Sequence, residues 1–436
     1  MKKRLGFVRA PHRKNTTSLA PEAIPVPKEV VLPMSMHIGA PAKPVVKVGD
    51  DVKVGQLVGE AEGHVSVPIH SSVSGKVKSV DTYNTVTGQN TVSVTITPDG
   101  EQTLYDGLKA PEVNSLQEFL AAVKNSGAVG LGGAGFPTHV KLGVKDISSI
   151  EYILINGAEC EPYITSDTQT MTHETAAVLD GVLLLQKHLK PKSLIICVES
   201  NNPESLKKMT ELMSGVSGVE IRTLPSKYPQ GGEKVLIYNV TGRIVPEEKL
   251  PIDVGVIVIN CTTVAAIAGY IKTGMPLVTK CITVDGSAVK KPKNVTAPIG
   301  TPVRELLEYC GVSDDVKKVL LGGPMMGIAI PSLDMPVLKT TNAVLAFSEK
   351  DSAPPQETNC IRCGRCAKNC PMGLMALNIE SAYNLEKPEL LEKYKVNLCL
   401  ECGCCAFSCP AKRQLVQIMK LAKIELRKYR DGKETK

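Results

Sequence analysis

Eight of the chain's 14 cysteines form one pattern twice: Cys360-x2-Cys363-x2-Cys366-x3-Cys370-Pro371, then Cys399-x2-Cys402-x2-Cys405-x3-Cys409-Pro410. Three thiolates at this spacing, on a tight loop, wrap three corners of an iron–sulfur cube. A fourth thiol comes from further along, and the proline turns the backbone away. Zinc is the competing reading. It prefers two well-separated Cys pairs, often with histidine, whereas each run has three close cysteines and no histidine nearby. A disulfide framework suits an oxidising compartment. The basic start MKKRLGFVRAPHRKN, however, is not followed by the apolar stretch of a secretion signal. Cys404 lies off the spacing. Cys160, Cys197, Cys261, Cys281 and Cys310 read as single packing or loop thiols.

The repeated run is that of bacterial two-cluster ferredoxins, in which the fourth cysteine of each run ligates the other cluster. On that pattern Cys360, Cys363, Cys366 and Cys409 form one 4Fe–4S set, and Cys399, Cys402, Cys405 and Cys370 the other. Such clusters move single electrons. Another group must convert between one- and two-electron carriers, and a flavin does so.

A glycine loop follows the first helical segment: Gly130-Leu131-Gly132-Gly133-Ala134-Gly135-Phe136-Pro137-Thr138. The loop formally fits G-x-G-x-x-G, but a helical segment precedes it and Pro137 follows at once. It also lacks the Gly-Lys-Ser/Thr end of a P-loop. Bare backbone at this density suits a phosphate or an isoalloxazine lying on the main chain. Next, YILI (152–155) reads as a strand leading into Asn156, Glu159 and Glu161, at the end where α/β folds meet ligands. Tyr228 to Lys234 (YPQGGEK) is a second polar, turn-rich loop. His37, His64 and His70 are lone histidines with no assigned role, His139 is not assigned to catalysis, and Met325 and Met326 read as loop packing.

The elements that must position these residues follow from patterning. The 436 residues suit about three domains, and 43% hydrophobic with 22% charged residues is ordinary for a globular chain. With 11 Tyr, 5 Phe and no Trp, stacking platforms for single-stranded nucleic acid are not expected. The stretch 38–80 alternates valine with polar residues between glycines and resembles the barrel-sandwich of biotinyl and lipoyl domains. No lysine lies between Lys53 and Lys76 to be modified, so it reads as a scaffold. Leu116, Phe119, Leu120 and Val123 predict a helix over 115–124, with Ser115 and Glu118 as a capping box. Strands at 152–155 and 194–198 with a helix at 174–190 argue for an α/β domain. Residues 254–271 carry no charge. Asn260, Thr262 and Thr263 break the stretch, so it reads as a buried strand and a helix, not a membrane span.

Charge is uneven. The first 21 residues carry +6, including Lys2, Lys3 and Arg4; residues 412–436 also carry +6; the remainder is −5. Basic ends are commonly solvated tails, and they also suit peripheral attachment to acidic or membrane-embedded partners. The expected layout is a multidomain α/β chain. It runs from an N-terminal arm and barrel-sandwich (1–110) to an α/β flavin and nucleotide domain (111–252) and a β-grasp region (253–345). A linker (346–358), a helical two-cluster domain (359–415) and a basic tail (416–436) complete it.

The segments HIGAPAKPVVKVGD, GLGGAGFPTHVKL, INGAECEPY, YPQGGEK and the two Cys runs, in this order, resemble the C subunit of the Rnf electron-transport complex over essentially the whole chain. The flavin domain is similar to the NADH-binding flavoprotein subunit of respiratory complex I, and residues 280–330 to a SLBB domain. The resemblance implies FMN held by Gly130, Gly132, Gly133 and Gly135, with Lys141 near its phosphate or ring. Asn156, Glu159 and Glu161 would line the flavin and nicotinamide site. Tyr228, Gly231 and Glu233 match a second flavin loop, Asn260 a polar strand end, and Phe136 an aromatic that stacks on the dinucleotide. Leu131, Ala158, Gly232 and Cys261 replace the arginine, aspartate, glutamate and asparagine of the complex I pattern. The implied activity is hydride exchange between NAD(H) and FMN. Electrons then pass through two 4Fe–4S clusters to or from membrane partners, a ferredoxin-accepting iron–sulfur subunit among them, in an ion-translocating complex at the cytoplasmic side of the membrane. A soluble flavin and iron–sulfur reductase, such as a cobalamin reductase, is the nearest alternative. There the barrel-sandwich follows the glycine loop, whereas here it precedes it. A zinc-stabilised interaction module is the more distant one.

Overall fold

The computed structural model describes residues 5–434. Lys2, Lys3, Arg4 and Lys436 of the two basic ends lie outside them.

Apolar runs flanked by polar turns make strands buried on both faces, and these pair in parallel. Tyr152–Gly157, Ser193–Glu199 and Val256–Asn260 are such strands, and with the more exposed edge strand Val219–Leu224 they form one parallel sheet. Along it the order is Val219–Leu224, Ser193–Glu199, Tyr152–Gly157, Val256–Asn260. Ile153, Ile155, Ile196, Val198, Ile257 and Ile259 pack one face against Phe119, Val123, Val178, Val182 and Val264. Leu154, Ile195, Cys197 and Val258 pack the other against Leu236 and Ile237. The predicted helices form at Leu116–Asn125, with the Ser115–Glu118 capping box, and at Thr175–Leu189.

Before this domain comes the barrel-sandwich. One sheet holds Val30–Pro33, Asn90–Pro98, Gly75–Asn84 and Asp51–Val52; a smaller one holds Lys43–Pro44, Leu57–Glu60 and Ile69–His70. Val30, Leu32, Val58, Ile69, Val94 and Ile96 are fully buried between them. After it, strands Thr279–Asp285, Lys293–Pro298, Val316–Leu321 and Ala343–Ser348 with helix Val303–Cys310 make the β-grasp unit.

The structure moves three expected boundaries. Val256–Asn260 pairs with Tyr152–Gly157, so the strand expected to open the β-grasp region closes the flavin sheet, and helix Cys261–Thr273 packs beneath it. Ala343–Ser348 extends the β-grasp sheet and runs into helix Glu349–Ser352, which shortens the linker. The basic tail is part of the two-cluster domain: in helix Leu415–Glu434, Met419, Ala422 and Leu426 are buried against Ile379 and Leu391. The arm also departs from the barrel-sandwich, since Glu22–Ala23 pairs with Lys293–Pro298 of the β-grasp sheet.

Candidate functional site

In a parallel sheet of this order the strand sequence reverses between Tyr152–Gly157 and Val256–Asn260, and ligands bind beyond the carboxyl ends at such a reversal. Asn156 and Asn260 occupy those ends in register with one another. The glycine loop closes on itself through Gly130 N–H to Phe136 O (2.9 Å) and Gly135 N–H to Gly130 O (3.0 Å). Its crown, Gly132 to Ala134, is exposed backbone. Two contacts tie it to the strand end: Leu131 N–H donates to Thr263 Oγ1 (3.0 Å), and a Cβ on Gly132 would stand 3.1 Å from Asn260 Nδ2. A side chain here would crowd the amide, which would have to give by a few tenths of an ångström.

Around this point the chain gathers most of the expected residues. Lys141 Nζ donates to Glu233 Oε1 (2.6 Å) and to Val258 O (3.0 Å). Asn156 Nδ2 donates to Gly231 O (2.9 Å), which fixes the second loop against the strand end. Asn260 Oδ1 caps helix Cys261–Thr273 by accepting from Thr263 N–H (3.1 Å), and its Nδ2 donates to Asp167 Oδ2 (2.8 Å). Phe136 is half-buried and contributes its carbonyl to the loop closure.

The two glutamates differ. Glu159 is buried, and its carboxylate accepts from Asp167 N–H (2.8 Å), Thr168 N–H (3.1 Å) and Thr168 Oγ1 (2.8 Å) at the start of helix Ser166–His173. Glu161 faces Tyr228 Oη (3.3 Å) and Met325 N–H (3.1 Å), and burial pushes its carboxyl up to about 7. Burial, and then the charge of Glu159, raises Asp167 to about 6.

Sequence reading missed Asp167, whose second oxygen accepts from Thr262 Oγ1 (2.7 Å). It also missed Lys14, which reaches Glu159 O (2.6 Å). Neither lies in a motif or a periodic run. Lys280 is buried among Asp167, Cys281 and Cys261, and burial lowers its ammonium.

The cysteine runs fold as two similar loops. Arg362 and Glu401, the equivalent residues, both have φ of 54°, and their N–H groups donate to Cys360 Sγ (3.4 Å) and Cys399 Sγ (3.3 Å). Asn369 Nδ2 donates to Ser408 Oγ (2.8 Å) between the runs. Cys360, Cys363, Cys366 and Cys409 line one cavity of about 150 Å³. The thiols of Cys399, Cys402 and Cys370 lie close enough for their charges to push Cys405 up to about 12, after burial. Both groupings are those of the cross-paired ligand sets. The cavity and its all-thiol donors fit a 4Fe–4S cluster. Among the described residues no three His, Cys, Asp or Glu side chains converge as a single-ion site needs. Cys360, Cys363 and Ile361 are exposed, which puts the first set at the surface. The second set is inward: Cys402 and Cys404 are buried with Tyr228 and Val8, and Cys404 Sγ faces Tyr228 O at 3.8 Å.

An α/β domain with a bare-backbone loop at its strand reversal, abutted by paired cysteine sets, defines a flavin and iron–sulfur electron-transfer protein. Family models match in the same order: the RnfC barrel sandwich hybrid domain at 4–101, the Nuo51 FMN-binding domain at 123–269, the SLBB domain at 281–329 and the 4Fe-4S dicluster domain at 359–412. The C subunit of the Na+-translocating ferredoxin:NAD+ oxidoreductase complex of Acetobacterium woodii is 41% identical over 429 residues, covering 97% of this chain and 96% of that protein. Its proton-translocating counterpart in Clostridium ljungdahlii is 39% identical, covering 95% and 92%. The C subunit of the ion-translocating oxidoreductase complex of Rhodobacter capsulatus is 36% identical, covering 85% and 72%. An NAD+-reducing NiFe-hydrogenase chain in the H2-reduced state shares the fold, with TM-score 0.52 and 18% identity over 70% of this chain and 63% of that one. The chain belongs to the RnfC family, the C subunits of Rnf complexes. Its domains are those that take FMN and two 4Fe–4S clusters.

Proposed function

We propose that this chain is the NAD(H)-reacting subunit of an ion-translocating ferredoxin:NAD+ oxidoreductase complex, as its relatives are named. The observation that carries the reading is the packing of Leu400, Cys402 and Cys404 of the second run against Tyr228 of the flavin loop. FMN supplies the change between hydride and single-electron transfer. The glycine loop, Asn156, Asn260, Lys141 and Glu233 hold it, with Tyr228, Gly231 and the Glu159–Glu161 segment beside it and Phe136 at the nucleotide. No side chain acts as a strong acid or base. The sites then run in one order: flavin loop, second cysteine set, first cysteine set, surface.

The partner is a ferredoxin-accepting iron–sulfur subunit of the same assembly, and it meets the exposed first set. A groove of about 710 Å³ between the N-terminal arm and the cysteine loops is lined by Arg9, Arg365 and Lys368 with Phe7 and Phe407. Attachment is peripheral, through such partners, on the cytoplasmic side of the membrane. Among the described residues no helix is long and apolar enough to cross a membrane.

The test is an anaerobic spectrum of the chain loaded with FMN, iron and sulfide, before and after NADH. Bleaching of the flavin with a fall in cluster absorbance is expected. Bound flavin that NADH leaves unchanged would overturn the donor assignment and make the chain a partner-fed reductase.

A further inference from the structure

The N-terminal arm crosses the junction on which the proposed function depends. Val8 and Tyr228 exchange both backbone hydrogen bonds, Val8 N–H to Tyr228 O (2.8 Å) and Tyr228 N–H to Val8 O (3.0 Å). Two residues earlier Gly6 lies flat on the Asn369–Cys370 peptide, where a Cβ would stand 2.5 Å from Cys370 O. Cys370 is the ligand that the first run lends to the second set, and Tyr228 opens the second flavin loop. One three-residue step therefore touches both sides of the flavin-to-cluster gap. Phe7, between them, lies under Lys227 Nζ at 5.3 Å.

The rest of the arm is anchored on the flavin and β-grasp domains. His12 O accepts from Tyr163 N–H (2.9 Å), Lys14 reaches the carbonyls of Glu159 and Ile164, and Thr16 Oγ1 meets Thr165 Oγ1 (2.6 Å). Asn294 Nδ2 holds Thr16 O (2.8 Å) and Leu19 O (2.9 Å). The anchored stretch belongs to the flavin and β-grasp domains, so residues 6–8 act on the cysteine domain from outside it.

We propose that Gly6–Val8 is a positioning strap that holds the second cluster site against the flavin loop and so sets the rate at which electrons cross between them. The inference rests on the proposed direction through the chain. With both groups bound, the flavin loop would hold the one-electron donor and Cys399, Cys402, Cys405 and Cys370 the cluster that accepts the electron, and no bond between heavy atoms would form or break.

Gly6→Val drives a side chain into the Cys370 carbonyl, and Val8→Pro removes the donor to Tyr228 O. Either variant of the full loaded chain keeps its iron, sulfide and FMN. Its Tyr228–Gly232 amides exchange with deuterium faster, while those of Tyr152–Gly157 do not. After photoreduction of the flavin, cluster reduction slows severalfold, because the accepting site is no longer held against the flavin loop. Cluster reduction that keeps the parent's rate in a variant whose loop amides exchange faster would overturn the proposal. Loss of iron from either variant would overturn it too, since the arm would then brace the cluster loop itself. Photoreduction keeps the test separate from the NADH assignment: a parent flavin that NADH does not bleach sinks that assignment and leaves the strap measurement intact.

Discussion

The Asn260 amide donates to the Asp167 carboxylate at 2.8 Å, across the space between helix Ser166–His173 and the last strand of the flavin sheet. Asn260 Oδ1 is already committed to capping its own helix. Asp167 therefore fixes which way the amide nitrogen faces beside Gly132. Asp167→Ala removes that constraint and leaves Thr262 Oγ1 only Thr170 Oγ1 (2.9 Å) as a partner. A hydrogen bond to a charged group is worth about 1.5–3 kcal/mol, so FMN affinity should fall roughly 10- to 150-fold. Titrating the apo-chain with FMN by fluorescence checks this; an unchanged dissociation constant would separate Asp167 from the flavin site.

Glu159 and Glu161 stand two residues apart on one strand end, yet only Glu161 meets the second flavin loop. Glu159 accepts its hydrogen bonds at a helix start, where a carboxylate also meets the positive end of the dipole. Glu159→Gln should lower stability by about 1.5–3 kcal/mol and leave the KM for NADH within about twofold. A KM that rises severalfold with an unchanged melting temperature would return Glu159 to the nucleotide site.

The strands and the 4Fe–4S dicluster domain were legible because each is a local pattern: YILI and VIVI are apolar runs, and the cysteine run is repeated at a fixed spacing. What escaped depends on contacts between remote segments. Val256–Asn260 joins the flavin sheet because the chain returns to the free side of Tyr152–Gly157, and a strand's own residues do not state its neighbour. The arm binds through the carbonyls of His12, Thr16, Thr17 and Leu19, which every residue type carries. In the last helix, Met419, Ala422 and Leu426 make a buried stripe that a charge count over 412–436 conceals. Glu159 and Glu161 look alike in sequence, and only their partners tell them apart.

Lys339 gives a pH test. Its Nζ is buried and donates to Pro68 O (2.8 Å) and Gly127 O (2.8 Å), which joins the barrel-sandwich to the flavin domain, and burial lowers its ammonium to about 7. A neutral amine has the two N–H groups these carbonyls need. In the unfolded chain a lysine titrates near about 10.4. Between pH 7 and about 10 the unfolded state therefore holds the extra proton, and stability rises with pH by up to about 1.4 kcal/mol per unit. Below about 7 both states are protonated and this slope vanishes. Lys339→Met removes the titration, so the parent's melting temperature should rise relative to the variant's from pH 7 to pH 9. Parallel curves would mean that the ammonium stays charged in the fold.

Cross-pairing of the cysteine runs makes a prediction that the zinc reading and a self-contained pairing of each run do not share. If Cys409 completes the set of Cys360, Cys363 and Cys366, then Cys360→Ser and Cys409→Ser damage the same cluster. Each should cost roughly half of the iron and sulfide, and the double variant no more than either. Cys360→Ser with Cys370→Ser damages both clusters and should leave little of either. Pairing within each run reverses the two results, because Cys360 and Cys370 would then share a cluster. Cys404→Ser is the control: its thiol faces Tyr228 O and neighbours Cys402 but lies off the repeated spacing, and the iron content should stay at the parent's level. The readout is iron and acid-labile sulfide per chain, with low-temperature electron paramagnetic resonance of the reduced protein to show which cluster survives. The surviving signal in Cys360→Ser and in Cys409→Ser must be the same one, and it comes from the inward set beside the flavin loop.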